Sequence, residues 1–353
     1  MKITIIASKP SVVDAVAPII IPDHADHDIT IVNYGLWGLF KRRMPRGLRM
    51  SDFPYVEPPL WSVEEPRVPM MEWRGGRRGT IQGSPFDLIR QADLVMCATD
   101  YFSIEAHAAA MILTHAYGIR MDERTRTTAD GRTVPLDGYA WISQQDGEDP
   151  SEEPYPEIRW LPITGLHTGQ VRSDWAMGLT THSPQFRRLV AEGSAMRHFN
   201  NAFEINAAAI IDPLVKAVSP DYAGGLVGKA GLQMIIHMGD EEPMTESTAM
   251  RTMMDWKGSG RHPPHELGNA ATRWRIMDNL EKAGLVDREG SLLAVSEAGR
   301  TFLASLHPDC RDVDQPARLA AWSKKWPASM PAMERYVRTF FGKQKRRTGR
   351  THA

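Results

Sequence analysis

Short apolar runs alternate with polar breaks along the first third of the chain. Residues 2–7 are apolar and β-branched, and Ser8-Lys9-Pro10-Ser11 ends the run. Residues 29–34 and 93–98 repeat the pattern, and Asp100 follows the last of them. Ser11 is placed to cap a helix over 11–20, with Pro18 shortening or kinking it. An Ala-rich stretch over 103–113 predicts a second helix. Strand, turn and helix thus occur twice, with short buried-type strands, which predicts a parallel sheet with helices on its faces. In such sheets ligands sit at the carboxyl ends of the strands, which points to the 8–11 loop and Asp100.

Residues 120–158 are rich in Asp, Glu, Gly, Pro and Thr and read as a loop or linker. From about 184 the apolar spacing becomes helical, over 185–211 and 244–256. A further helix is predicted over 270–283, stopped by Gly284. Leu285-Val286, a charged turn at 287–290 and Leu292–Val295 read as a hairpin. Ser296 would cap the next helix, and two more are expected near 314–325 and 329–342.

The chain has 353 residues, 42% hydrophobic and 24% charged, enough for about two ordinary globular cores. A net charge of −1 means that a nucleic-acid partner needs basic residues gathered on one face. Basic residues do gather in sequence, at Lys41-Arg42-Arg43 with Arg46 and Arg49, at Arg74, Arg77 and Arg78, and at Lys343, Lys345, Arg346, Arg347 and Arg350. Only Cys97 and Cys310 are present, which excludes a disulfide framework or a Cys-rich zinc site and fits a reducing compartment. No run approaches the length of a membrane span or a signal peptide. The expectation is a cytoplasmic protein with no membrane partner.

Several segments, in order, resemble the type IA DNA topoisomerases, most of all the topoisomerase III branch. Ile6-Ala7-Ser8-Lys9-Pro10-Ser11 resembles the opening of the family's Toprim domain. Tyr34-Gly35-Leu36-Trp37-Gly38-Leu39, Phe53-Pro54 and Pro58-Pro59-Leu60-Trp61 are similar to its next strand and loop. Ala92–Asp100 resembles the strand ending in the family's Asp-x-Asp. Phe186, Leu189, Ala195, Arg197 and Phe203-Glu204-Ile205-Asn206 match a helix that lines the family's DNA groove. Leu226-Val227-Gly228-Lys229, Thr245-Glu246-Ser247-Thr248, Gly268–Arg273 and Val295–Arg300 resemble the later motifs in turn. Arg172-Ser173-Asp174-Trp175 also matches a family helix, but it lies too early and reads as coincidence.

The departures bear on function. About fifteen residues separate Lys229 from Thr245, where the family carries its arch and its nucleophilic tyrosine. No Tyr lies between Tyr222 and Tyr336. The resemblance implies an acidic Mg²⁺ cluster, yet Ser8 stands for its first Glu, Phe102 for its second Asp and Ile104 for the next acid, with Glu105 one step off register. Asp100 remains, as a remnant metal ligand or as a helix cap. One carboxylate is a poor Mg²⁺ site, so Mg²⁺ is the only cofactor the resemblance brings, and the residues argue against it.

The resemblance thus implies a Toprim-like α/β parallel-sheet domain over 1–155 and an α-rich domain with winged-helix character over 156–342. The latter would be the family's DNA-groove domain without its gate, followed by a basic tail over 343–353. The expected function is a pseudoenzyme that grips single-stranded DNA through Lys9, Arg197, Lys229, Thr272 and Arg273. Arg273 and Thr272 open a helix, where a cation and amide groups favour phosphate. Asn206 is expected to be structural. Two alternatives stay open: an active topoisomerase or Mg²⁺-dependent nickase using Asp100, Glu105 or Tyr336, and an adaptor for another protein. Tyr336-Val337-Arg338-Thr339 matches the pattern around the family's nucleophile but lies in a helical stretch after the closing motif, so a packed aromatic is expected. The Asp23–Asp28 stretch with His24 and His27 reads as a turn, and His262-Pro263-Pro264-His265 as a linker. Trp160, Trp175, Trp256 and Trp274 are candidates for base stacking or for core.

Overall fold

The computed structural model describes residues 1–33, 39–63, 68–74, 77–116, 125–127, 131, 133–135, 157–176, 178–180, 183–241, 243–269 and 272–351. The Tyr34–Gly38 match, most of the 120–158 linker, Ala270-Ala271, and the side chains of Arg74, Arg78, Trp175 and Arg350 lie outside the described residues. The chain divides into two compact units. One holds residues 1–44, 58–197 and 326–328, and the other 45–57, 198–325 and 329–353.

The first unit is built on a seven-stranded mixed sheet. Its strands are β1 (Lys2–Ala7), β2 (Asp28–Asn33), β5 (Val68–Arg74), β6 (Arg77–Gly83), β7 (Leu94–Asp100), β10 (Glu157–Ile163) and β11 (Leu179–Thr180), in the order β11-β10-β7-β1-β2-β5-β6. The four central strands, β10, β7, β1 and β2, are parallel, and both edges are antiparallel. Two small hairpins stand outside it, β3 (Phe40–Arg43) with β4 (Leu60–Val63), and β8 (Thr125–Thr127) with β9 (Thr133–Pro135).

The central strands read as unbroken apolar runs because both their faces are covered. Ile3, Ile5 and Ala7 of β1 and Leu94, Met96 and Ala98 of β7 pack under α1 (Pro10–Asp23). Ile6, Val95 and Cys97, on the other face, meet α2 (Pro85–Gln91) and α3 (Ser103–Ala116). Helix α1 begins at Pro10, not at a Ser11 cap, because proline's fixed φ suits the first helical position. It also runs through Pro18, which was expected to shorten or kink it, and is not shortened there. That ring is on the exposed side, while Val12, Val13, Val16, Ala17, Ile19 and Ile20 are held against the sheet.

The expected boundary at 155/156 misses β10, which pairs with β7 along its whole length, and α4 (Thr168–Ala176) behind it. The division falls instead within α5 (Pro184–Ile210), after Arg197.

The second unit is mainly helical: α6 (Asp212–Val218), α7 (Lys229–Gly239), α8 (Glu246–Met254), α9 (Arg273–Lys282), α10 (Glu297–Ser305), α11 (Gln315–Ser323) and α12 (Met330–Thr351), with the last part of α5. A three-stranded sheet joins them, β12 (Met244–Thr245), β14 (Leu292–Val295) and β13 (Val286–Glu289), in the order β12-β14-β13. Gly284 closes α9 at φ 70°, a conformation that favours glycine. Ser296 caps α10, its hydroxyl accepting from the Gly299 amide at 2.9 Å. The basic tail expected over 343–353 is helical as far as Thr351, where α12 ends. Lys343 pairs with Asp309, Lys345 donates to the Met50 and Phe53 carbonyls, and Arg347 to that of Ala304, so these three cations are tied to the fold.

No helix among the described residues is long and apolar enough to cross a membrane.

Candidate functional site

In the parallel core the order 2-1-3-4 (β2-β1-β7-β10) reverses direction between β1 and β7. The loops leaving the carboxyl ends of these two strands go to opposite faces, into α1 and α3, and leave a crevice. A cavity of about 460 Å³ lies there, lined by Lys9, Asp100, Tyr101, Phe102, Ile163, Thr164, Gly165 and Leu166.

Lys9 immediately precedes α1, and Asp100 ends β7. The fold brings them together: Lys9 Nζ donates to Asp100 Oδ2 at 2.6 Å. Both are partly open to solvent, so the pair contributes at most about 1 kcal/mol. The helix-cap reading of Asp100 is corrected by this geometry. Among the described residues its carboxylate bonds to Lys9, and no amide of α3 donates to it.

Apolar side chains flank the pair. Phe102 is 59% exposed and Leu166 47% exposed, both at the rim. Tyr101 is fixed from behind, stacked on the buried Trp160 at 5.9 Å and accepting from Gln185 Nε2 at 2.8 Å. Trp160 is core, and its indole N–H donates to Thr99 Oγ1 at 2.8 Å. The 164–166 turn is held by Asp174, which is fully buried. Its carboxylate accepts from the Thr164 amide at 2.9 Å, from the Thr164 hydroxyl and from Gln170 Nε2 at 2.9 Å. Asp174, which no functional motif singled out in the sequence, therefore shapes the cavity's wall.

The cavity does not fit Mg²⁺. Octahedral magnesium wants several oxygen ligands. Here one oxygen of the single lining carboxylate is committed to an ammonium. Glu105 lies on the first turn of α3, outside the lining. Among the described residues no group of three or more His, Cys, Asp or Glu side chains could hold a metal, at the crevice or at the His24–His27 turn. What the crevice offers is a Lys9–Asp100 ion pair and two helix amino ends beside an apolar rim, so an anion there would have to draw Lys9 away from Asp100.

The other expected site residues are placed less uniformly. Arg197 is half-buried on α5. Lys229, at the start of α7, donates to Asn200 Oδ1 at 2.8 Å and lies 5.5 Å from the centre of the Phe199 ring. Burial pulls its ammonium down to about 8, against the charge of Glu204, which raises it. Arg273 is buried, and its guanidinium donates to Glu266 Oε2 at 2.5 Å and to the Gly268 carbonyl at 3.2 Å. Thr272 sits at the N-cap of α9, but its hydroxyl bonds to the backbone of Asn269. Both are committed to the loop that leads into α9, so the expected phosphate contact at this helix start is corrected. Asn206 is buried, accepts from the Tyr55 amide at 2.8 Å and donates to the Tyr55 and Ala202 carbonyls, a structural clamp as expected.

Tyr336 is packed as expected. Its ring lies among Phe199, Trp322 and Phe340. Its hydroxyl donates to Asp312 Oδ2 at 2.9 Å, and Arg318 pairs with the same carboxylate. Burial, with the Asp312 charge, holds the phenol well above its usual pKa, which opposes a nucleophilic phenolate. Trp256 is buried, whereas Trp274 is 52% exposed on α9 with Arg275 stacked on it at 5.5 Å.

No protein-family model matches the chain, and no curated protein is similar to it in sequence.

Proposed function

We propose that this chain is a nucleic-acid-binding protein related in construction to the base of a type IA topoisomerase, and that it grips single-stranded DNA without cutting it. The observation that carries the reading is the Lys9–Asp100 ion pair at the switch point of the parallel sheet. A Toprim-like site that cleaves needs several free carboxylates around a metal. Here a cation occupies the remaining one, and Ser8 and Phe102 stand where the resemblance places two others. The order α7-β12-α8-α9-β13-β14, with β12 pairing beside β14, is the order a winged helix would have, and on this reading it supports the second half of the resemblance. On this reading Lys9 touches phosphate, exposed cations add salt-dependent affinity, and sequence preference is small.

Tyr336 gives little support to the enzyme alternative, since its hydroxyl is bonded and its ring packed. The test is incubation of the full chain with supercoiled plasmid and Mg²⁺. The expected result is no relaxation and no nicking. Relaxation that disappears in Tyr336→Phe would establish the enzyme reading instead.

A further inference from the structure

A second cavity, of about 280 Å³, lies within the helical unit. Its walls are His237 from α7, Thr248, Arg251 and Thr252 from α8, and the turn Asp255–Gly258. None of these residues belongs to the motifs that carried the resemblance except Thr248.

The turn is fixed before any ligand arrives. Trp256 is buried, and its indole N–H donates to the Val313 carbonyl at 2.9 Å. Its backbone pairs with that of His265, with bonds of 2.8 and 2.9 Å. Gly258 has φ +53°, and a Cβ there would lie 2.5 Å from Asp314 Oδ1. Asp314 in turn accepts from the Ser259 amide at 2.8 Å and from its hydroxyl at 2.6 Å. A wall held in this way fixes the backbone that carries Lys257, while the exposed Arg251 and Lys257 side chains keep the freedom to turn toward a ligand.

The polar groups facing the cavity are mostly donors. Among the described residues the Arg251 guanidinium and the Thr252 hydroxyl have no partner. Thr248 shares its hydroxyl with Thr245 at 3.0 Å. Asp255, the one acid of the lining, faces Lys257 at 3.7 Å in an exposed pair. That contact is long and solvated, so it holds neither side chain firmly. Nearby acids are already engaged: Glu246 and Glu281 with Arg288, and Glu266 with Arg273. The lining itself carries two cations, Arg251 and Lys257, against one acid, Asp255, with the Thr248 and Thr252 hydroxyls beside a space larger than a chloride or a carboxylate needs; Asp314, behind the turn, is engaged by Ser259. That donor set matches a tetrahedral oxyanion.

We infer that this notch binds a phosphoryl group. Its existence is independent of the proposed function. That reading enters only in naming the source, a phosphodiester of a bound nucleic-acid strand, against free phosphate.

The experiment uses the full chain in two arms, inorganic phosphate followed by ³¹P NMR and a single-stranded oligonucleotide titrated over a salt series. Wild type is compared with Arg251→Ala, Thr252→Val and, as a control away from the notch, Lys216→Glu. Thermal melting checks that each variant folds. The expected result is saturable phosphate binding, weakened about tenfold in Arg251→Ala, weakened less in Thr252→Val and unchanged in Lys216→Glu. Oligonucleotide affinity should fall in Arg251→Ala with a loss of about one in the salt slope, a change that a merely structural role would not produce. Phosphate binding without any oligonucleotide effect supports the notch and assigns it to free phosphate. Absent phosphate binding, with an unaltered salt slope in folded Arg251→Ala, overturns the inference while leaving the nucleic-acid reading intact. If wild type retains phosphate but no oligonucleotide, the proposed function fails and the notch stands.

Discussion

The crevice of the sheet unit and the notch of the helical unit handle charge in opposite ways. In the crevice the one acid and the one lysine neutralise each other at 2.6 Å, and an apolar rim with Phe102 and Leu166 remains. In the notch the acid is held only loosely, and Arg251 is left without a partner among the described residues. The difference teaches that residue types do not define a site until the fold's own claims on them are counted. Lys229 and Arg273 illustrate this within one unit: both are cations of the type that binds DNA, and both already serve the fold.

The sharpest way to test that division is to remove a group assigned to the scaffold. Asn206→Leu strands the amide and carbonyl of Tyr55 in a buried setting, so it should cost about 3 to 5 kcal/mol by urea unfolding. A loss under about 1 kcal/mol would break the assignment.

Lys229 provides a pH-dependent version. Its ammonium is disfavoured in the folded chain, so between about 8 and its ordinary value the unfolded chain holds protons that the folded chain has released. Stability attributable to Lys229 should therefore rise with pH across that window, by no more than about 3 kcal/mol, and stay flat below it. Lys229→Met should remove this rise and leave oligonucleotide affinity unchanged. An equal pH response in both proteins contradicts the half-buried, desolvated placement, and a loss of affinity returns Lys229 to the binding surface.

Tyr336→Phe should cost about 1 kcal/mol in stability, through the lost bond to Asp312, with no change in oligonucleotide affinity. The smallest effect belongs to the crevice: Lys9→Gln should change stability by less than about 1 kcal/mol, because its ion pair is exposed. It should still weaken oligonucleotide binding measurably. A large stability loss with unchanged binding would make Lys9 a structural residue and reverse the comparison.

Much of the sheet unit was legible because its central strands are buried on both faces and so advertise themselves as apolar runs. Strands β5, β6 and β10 were missed. Val68–Arg74 mixes apolar residues with Pro69, Glu72 and Arg74, Arg77–Gly83 at the sheet edge is rich in Arg and Gly, and Glu157–Ile163 contains Pro162. Helix ends that depend on local chemistry, at Gly284 and Ser296, were readable; the start of α1 was not, because Pro10 displaced the Ser11 cap. At the crevice the pairing of Lys9 with Asp100 follows from adjacent parallel strands, which the two βα patterns implied. The rim residues Phe102 and Leu166 could not be found as such, since nothing in a lone Phe or Leu signals exposure. Apart from Thr248, the notch carried no motif. Arg251, Thr252 and Lys257 are ordinary helix and turn residues, and only packing around Trp256 and Asp314 makes them converge.

The central claim, grip without cleavage, is tested most directly by titrating a labelled single-stranded oligonucleotide with the full chain in Mg²⁺ across a salt series and recovering the strand. The account predicts binding at low salt, a linear fall of log affinity with log salt, and a strand recovered at full length. A strand that is cut, or one that is not retained even at low salt, would contradict it.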